Sequence, residues 1–189
     1  MTRIAALILM LAVTVGGRAD ASPGSSGNHF YTIEPAERER ALAAGWRDES
    51  DTDPFYVCEE QVADTVLLHR FWSRRLGDHF YATDATDVHN ALGAGYADET
   101  AAHPLMFVFV TPHPAHVPAE DVALLMRFWN PRIADHFYAT DQADAQRALS
   151  AGYQRDKTQP IYVVTEPVAC APGVPAHRVF RLYRPPPSR

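Results

Sequence analysis

Gly77-Asp78-His79-Phe80-Tyr81-Ala82-Thr83-Asp84 decides the fold, because its core occurs three times. The other copies are Asn28-His29-Phe30-Tyr31-Thr32 and Asp135-His136-Phe137-Tyr138-Ala139-Thr140-Asp141. A glycine stands 16 residues after each His: Gly45, Gly95 and Gly152. Each glycine is preceded by Ala-Leu-x-Ala and followed by an aromatic, Trp46, Tyr96 or Tyr153.

Working outward from the second copy, Leu68-His69-Arg70-Phe71-Trp72 interleaves polar and apolar residues as a strand does. A turn over 73–77 joins it to a second strand over 78–83, which predicts a hairpin. Asp84 is placed as an N-cap, with Asp87 three residues on as a short capping box. A helix over 85–94 follows, with Val88, Ala91 and Leu92 on its buried face and Gly95 ending it. A short extended segment then leads through Pro104 to Leu105-Met106-Phe107-Val108-Phe109-Val110, which reads as a strand buried on both faces. The first unit repeats this order, with Pro35 opening its helix, Ala41-Leu42 facing inward and Phe55-Tyr56-Val57-Cys58 as its apolar strand. The third does so with Asp141 and Asp144 at the helix start, Ala148-Leu149 inward and Ile161-Tyr162-Val163-Val164 as the strand. The Pro- and Ala-rich segments 111–121 and 166–177 are expected as surface loops.

The chain starts inside a unit and ends on Val179-Phe180-Arg181-Leu182-Tyr183-Arg184-Pro185, a copy of Leu125-Met126-Arg127-Phe128-Trp129-Asn130-Pro131. The last strand is therefore the missing hairpin partner of the first, and pairing them leaves no open edge. The expected fold is mainly β with short helices (α+β): a closed pseudo-threefold ring of three β-β-α-β repeats. A propeller-like ring is the first choice and a β-trefoil-like arrangement the alternative. Residues 1–21 read as a signal peptide, with Arg3, an apolar run from Ile4 to Val15, and Ala19-Asp20-Ala21 for cleavage. Residues 22–27 are a flexible lead-in. A single domain, 28–189, holds repeats at about 28–67, 68–124 and 125–177 and a closing strand at 178–185.

Cleavage makes the formal charge of −6 one unit more negative. An acidic exported chain is a poor partner for nucleic acid or anionic lipid. No second apolar run suggests a membrane span. A monomer in the periplasm or outside the cell is expected. Two cysteines in an exported chain point to a Cys58–Cys170 disulfide, since units one and three are neighbours in a ring of three.

Arg-Phe-Trp-Asn-Pro, Asp-His-Phe-Tyr-x-Thr and Ala-Leu-x-Ala-Gly-Tyr, recurring in register over almost all of 28–185, resemble a secreted repeat module of unknown function. That family occurs alone or appended to extracellular hydrolases. Its usual Thr-Thr-Ser before the helix is Ala-Thr-Asp here, and the first copy has Asn28 for Asp. The resemblance implies secretion and a binding or structural role, and supplies no catalytic residue.

Four sets of residues invite chemistry. His29, His79 and His136 fit hydrogen-bonded core residues, a ligand pocket in each unit, or three His converging on a zinc ion. Asp78-His79 and Asp135-His136 resemble acid–base pairs, but adjacent strand residues face opposite ways. Arg70 with Trp72, Arg127 with Trp129, and Arg181 with Tyr183 each share a strand face, and each Arg is expected near Asp78 or Tyr81 or their counterparts. They fit either an Arg–carboxylate tie or a shallow saccharide pocket with an aromatic platform. His113 and His116, with His103 nearby, are the other metal candidates, against a reading as solvated loop residues. No nucleophile motif, zinc motif or phosphate loop is present, so no cofactor, metal or catalytic residue is expected. An enzyme would show one unit departing sharply from the others around a cleft, and no such departure is read here. The expected function is a non-enzymatic module binding carbohydrate or a cell-envelope glycan at up to three similar sites. A structural or protein-interaction domain and an extracellular hydrolase are the alternatives.

Overall fold

The computed structural model describes residues 27–157 and 159–186, so the stretch expected to be a signal peptide, 1–21, and most of the expected lead-in lie outside the described residues. In chain order the first elements are β1 (Asn28–Thr32), α1 (Pro35–Ala43), β2 (Arg47–Asp48) and β3 (Tyr56–Cys58). The second group is β4 (Thr65–Leu67), β5 (His69–Ser73), β6 (Asp78–Ala82), α2 (Ala85–Gly93), β7 (Ala97–Asp98) and β8 (Phe107–Phe109). The third is β9 (Val122–Leu124), β10 (Met126–Asn130), β11 (Asp135–Ala139), α3 (Gln142–Ser150), β12 (Gln154–Arg155) and β13 (Tyr162–Val164). The chain closes on β14 (Ala169–Ala171), β15 (Val174–Arg178) and β16 (Phe180–Arg184).

The fold is mainly β, with antiparallel sheets and three short helices. The hairpin β5–β6 runs in the register Arg70↔Tyr81 and Trp72↔His79, and β10–β11 repeats it as Arg127↔Tyr138 and Trp129↔His136. The last strand supplies the same pairing to the first, Arg181↔Tyr31 and Tyr183↔His29. The short segment after each helix is a third strand: β2 pairs with β16, β7 with β5 and β12 with β10.

The helices end where the sequence says. Gly45, Gly95 and Gly152 take φ of +87°, +85° and +92°, a left-handed conformation that costs glycine little. In each case the next residue's N–H reaches back to the alanine carbonyl of the last turn, as Trp46 does to Ala41 at 3.1 Å, which is the Schellman closure. Two details differ from expectation. Leu92 and Leu149 are 50% and 44% exposed, and the buried residues of those helices include Ala91 and Ala148 in their place, whereas Leu42 of α1 packs against its core. Asp84 caps α2 through the N–H groups of Thr86 and Asp87, but the Asp87 side chain does not return to the cap as a capping box would; its carboxylate is spent on Arg127.

The apolar strands do not remain as outer strands of separate blades. β3, β8 and β13 gather in one seven-stranded sheet, with pairings Cys58↔Phe107, Phe109↔Tyr162 and Val164↔Tyr56. Each has a further partner that precedes the next hairpin: β15 for β3, β4 for β8 and β9 for β13. The principal core lies beneath and draws the same positions from each unit. Val57, Val108 and Val163 are one such set, and Tyr31, Tyr81 and Tyr138 another. Segment 166–177 is not a plain surface loop: it carries the hairpin β14–β15, turning at Gly173. That hairpin brings Cys170 to Cys58, and the expected disulfide is present, closing a separation of 112 residues. Segment 111–121 is also anchored, by Val117 beside the disulfide.

Candidate functional site

The His-Phe-Tyr stretches sit where the three hairpins meet, and their polar groups bond from one hairpin to the next. The Tyr31 N–H donates to the Tyr81 hydroxyl at 2.8 Å, Tyr81 to Tyr138 at 2.8 Å and Tyr138 to Tyr31 at 2.9 Å. Each hydroxyl in turn donates to a main-chain carbonyl of the residue it serves: Tyr81 to Tyr31, Tyr138 to Tyr81 and Tyr31 to Tyr138. Every buried donor and acceptor in this cycle has a partner, as burial requires.

A second cycle uses the acids and histidines. His29 donates its main-chain N–H and its Nδ1–H to Asp135, at 2.7 and 2.6 Å. His136 does the same with Asp78, at 2.9 and 2.6 Å. His79 meets Asn28, whose Oδ1 accepts its main-chain N–H at 3.1 Å. So Asp78 and Asp135 are not paired with their sequence neighbours, and the three His do not converge on a metal; each is turned toward the acid or amide of another hairpin. Tyr96 and Tyr153 also donate to Asp78 and Asp135. In the first unit the acid is Asn28 and the post-glycine aromatic is Trp46, so the carboxylate and the hydroxyl it would accept from are replaced together.

The chemical consequence differs by junction. Burial opposes the charge on His29, but Asp135 and Glu49 outweigh it and raise its pKa to about 9. His79 faces no such acid at its Nδ1. Burial, with Arg70 and His103 adding, holds it well below the ordinary histidine value.

The arginines form a third cycle. Arg70 makes two parallel bonds to Glu37 of α1, both 2.9 Å, and its Nε lies 3.5 Å from Glu99. Arg127 bonds Asp87 of α2 at 2.7 Å and Asp156 at 2.9 Å. Arg181 bonds Asp144 of α3 and lies 3.6 Å from Glu49. Each guanidinium also lies over the Phe of another hairpin: Arg70 over Phe30, Arg127 over Phe80 and Arg181 over Phe137, at 5.4, 4.8 and 5.0 Å. All three arginines are at most 5% exposed. Burial raises the pKa of Glu37, but Arg70 outweighs it and holds the carboxyl below its ordinary range.

The expected nearness of Arg70 to Tyr81 holds, but the carboxylates that bind these arginines are others. They are Glu37, Asp87 and Asp144, eight residues after each His, and Glu49, Glu99 and Asp156, twenty after it. That constant spacing was available in the sequence. These acids lie on the helices and on the segments after them, outside the hairpin that carries each Arg.

Trp72, Trp129 and Tyr183 remain half-buried. Each lies against the histidine opposite it, with ring centroids 4.5, 4.4 and 4.4 Å apart. One group of three side chains among the described residues has metal-ligand spacing, Glu34, Glu37 and His103, whose donor atoms fall within 4.8 Å of one another. Glu37 there is already held by Arg70, whose positive charge opposes a metal ion. His113 and His116 lie apart from this group, in the segment before Val117.

No curated protein and no solved structure matches the chain. Two segments, 21–106 and 112–187, match one family in succession, in keeping with the internal repeat. The chain belongs to that family, the domain of unknown function DUF5648.

Proposed function

We propose that the chain is a secreted, non-enzymatic module that binds carbohydrate or a cell-envelope glycan on the rim of a closed, pseudo-threefold ring. The pairing of β1 with β16 and the Tyr31–Tyr81–Tyr138 cycle support closure. The gathering of β3, β8 and β13 in one sheet favours the trefoil-like over the propeller-like arrangement. The disulfide suits an oxidising compartment, and among the described residues no helix is long and apolar enough to cross a membrane.

One observation carries the binding reading. Trp72, Trp129 and Tyr183 keep part of their surface in water at equivalent positions, while the neighbouring Arg, Asp and Tyr groups are turned inward. An aromatic face backed by a histidine suits the apolar face of a pyranose. The arginines are buried and held by carboxylates, so the proposed pocket rests on the aromatic faces. The same inward turning favours a second reading, a scaffold whose repeats serve only folding.

Trp129→Ala and Trp72→Ala separate the two. On the binding reading, Trp129→Ala lowers retention of the protein on a glycan array or resin, and the double variant lowers it far more, because weak sites add through avidity. The melting temperature then changes little. A wild type that no glycan retains, together with a large drop in melting temperature for Trp129→Ala, decides for the scaffold.

A further inference from the structure

The third unit departs from the other two at one place. After the helix glycine the first two units read Asp48-Glu49-Ser50 and Asp98-Glu99-Thr100, and the third reads Arg155-Asp156-Lys157. Nine positions separate Gly45 from Pro54 and Gly95 from Pro104, but eight separate Gly152 from Pro160. The acid–hydroxyl pair is used in the first two units: Ser50 accepts the main-chain N–H of Arg181, and Thr100 that of Arg70, at 3.0 and 2.9 Å. Asp48 and Asp98 in turn accept the N–H of Ser50 and Thr100. Lys157 and Arg155 can do neither, because their side chains carry no acceptor. The absence of any departing unit, expected from the repeat, is thus corrected, and the departure lies beside a cleft.

Beside Arg127 two adjoining cavities of about 440 and 260 Å³ share Arg127, Asp156 and Lys157. The corresponding space beside Arg70, lined by Thr100 and His103, is about 10 Å³. The larger cavity is of the size that takes small ligands. Its floor is Leu125, Met126 and the buried Arg127, and Pro160 forms a wall. Arg127 pairs with both Asp156 and Asp87, so these three groups together carry one negative charge against the two positive charges of Arg155 and Lys157. Arg155 and Lys157 are exposed at the rim, and neither has a side-chain partner among the described residues. In a chain whose formal charge is −6, two unpaired cations beside an apolar floor make a local site for negative charge.

We propose that this cleft binds one small organic anion with an apolar body, its charged group against Arg155 and Lys157 and its body over Met126 and Pro160. The site is single and does not depend on the aromatic rim. The probe is 1-anilinonaphthalene-8-sulfonate, an apolar body with one anionic group, titrated into the full exported chain and followed by fluorescence. One saturable molecule per chain is expected, weakening as salt is added. The double variant R155D/K157T, which installs the second unit's residues at two exposed positions, lowers the affinity at least about tenfold, or roughly 1.4 kcal/mol. Loss of fold in the double variant would raise the probe's fluorescence, because disordered cores bind it, so lost binding is distinguishable from unfolding. Unchanged affinity in R155D/K157T overturns the proposal. So does equal binding of the uncharged N-phenyl-1-naphthylamine, or wild-type binding that salt does not weaken.

Discussion

A chain ending at residue 177 is expected not to fold. The deletion removes β16, which is the middle strand of its sheet, so β1 and β2 both lose their partner. It removes Leu182 and Val179, which are 0% and 2% exposed, from two different cores. Large-to-small changes at single core positions already cost about 2–5 kcal/mol, and a whole domain is stable by only about 5–15 kcal/mol. Arg181 goes as well, leaving the buried Asp144 with only the more exposed Arg147 as its cation. The exposed edge of β1 would favour aggregation. The expected thermal scan shows no cooperative transition. A truncated chain that melts where the full chain does would contradict the closing role of the last strand.

Asp135→Ala carries the second largest expected effect. Asp135 is fully buried and accepts from the His29 main chain, the His29 ring and the Tyr153 hydroxyl. Removing one partner of a buried charge pair costs about 3–5 kcal/mol, because the other is left unpaired. Asp135→Asn should cost less, since Asn28 already holds His79 in the corresponding place. Its signature lies in pH. The pKa of His29 is raised from 6.5 to about 9 in the fold, so the folded state holds a proton that the unfolded chain releases. That contribution is fully present below 6.5 and is lost as pH rises through 9. Denaturant titrations of the wild type should therefore show stability falling over that window, and Asp135→Asn should flatten the fall. An equal fall in both proteins would remove Asp135 as the cause.

Much of this was legible in the sequence because each repeat element is specified locally. Gly45, Gly95 and Gly152 mark positions where only a left-handed residue ends the helix, and the hairpin registers follow from alternation. The pairing of β16 with β1 was legible from the repeat itself, since 179–185 copies 125–131, which pairs with the third His-Phe-Tyr strand in the same way. What crosses between units was less legible. Asp78 reaches His136 and Arg127 reaches Asp87, and neither partner lies in the same hairpin as its mate. Spacing from a repeated residue carries that information, but only once it is known which unit lies beside which. The pooling of β3, β8 and β13 was hidden for a related reason: an apolar strand shows that it is buried, not which strand it is buried beside. The departure of the third unit was visible as Arg155-Asp156-Lys157 and one missing residue. The regular stretches of the repeat, which lie on either side of it, carry no sign of it.

The claim that the chain is a ring locked by its repeated tyrosines is tested most directly by amide hydrogen exchange at Tyr31, Tyr81 and Tyr138. In an open array the strand nearest the N-terminus frays first, because chain ends are the least protected part of most domains. In the ring the Tyr31 N–H is held by the Tyr81 hydroxyl as firmly as the other two are held by theirs. The expected result is that all three amides exchange only through global unfolding, with the same free energy of opening. Exchange at Tyr31 that is orders of magnitude faster than at Tyr81 and Tyr138 would contradict the ring.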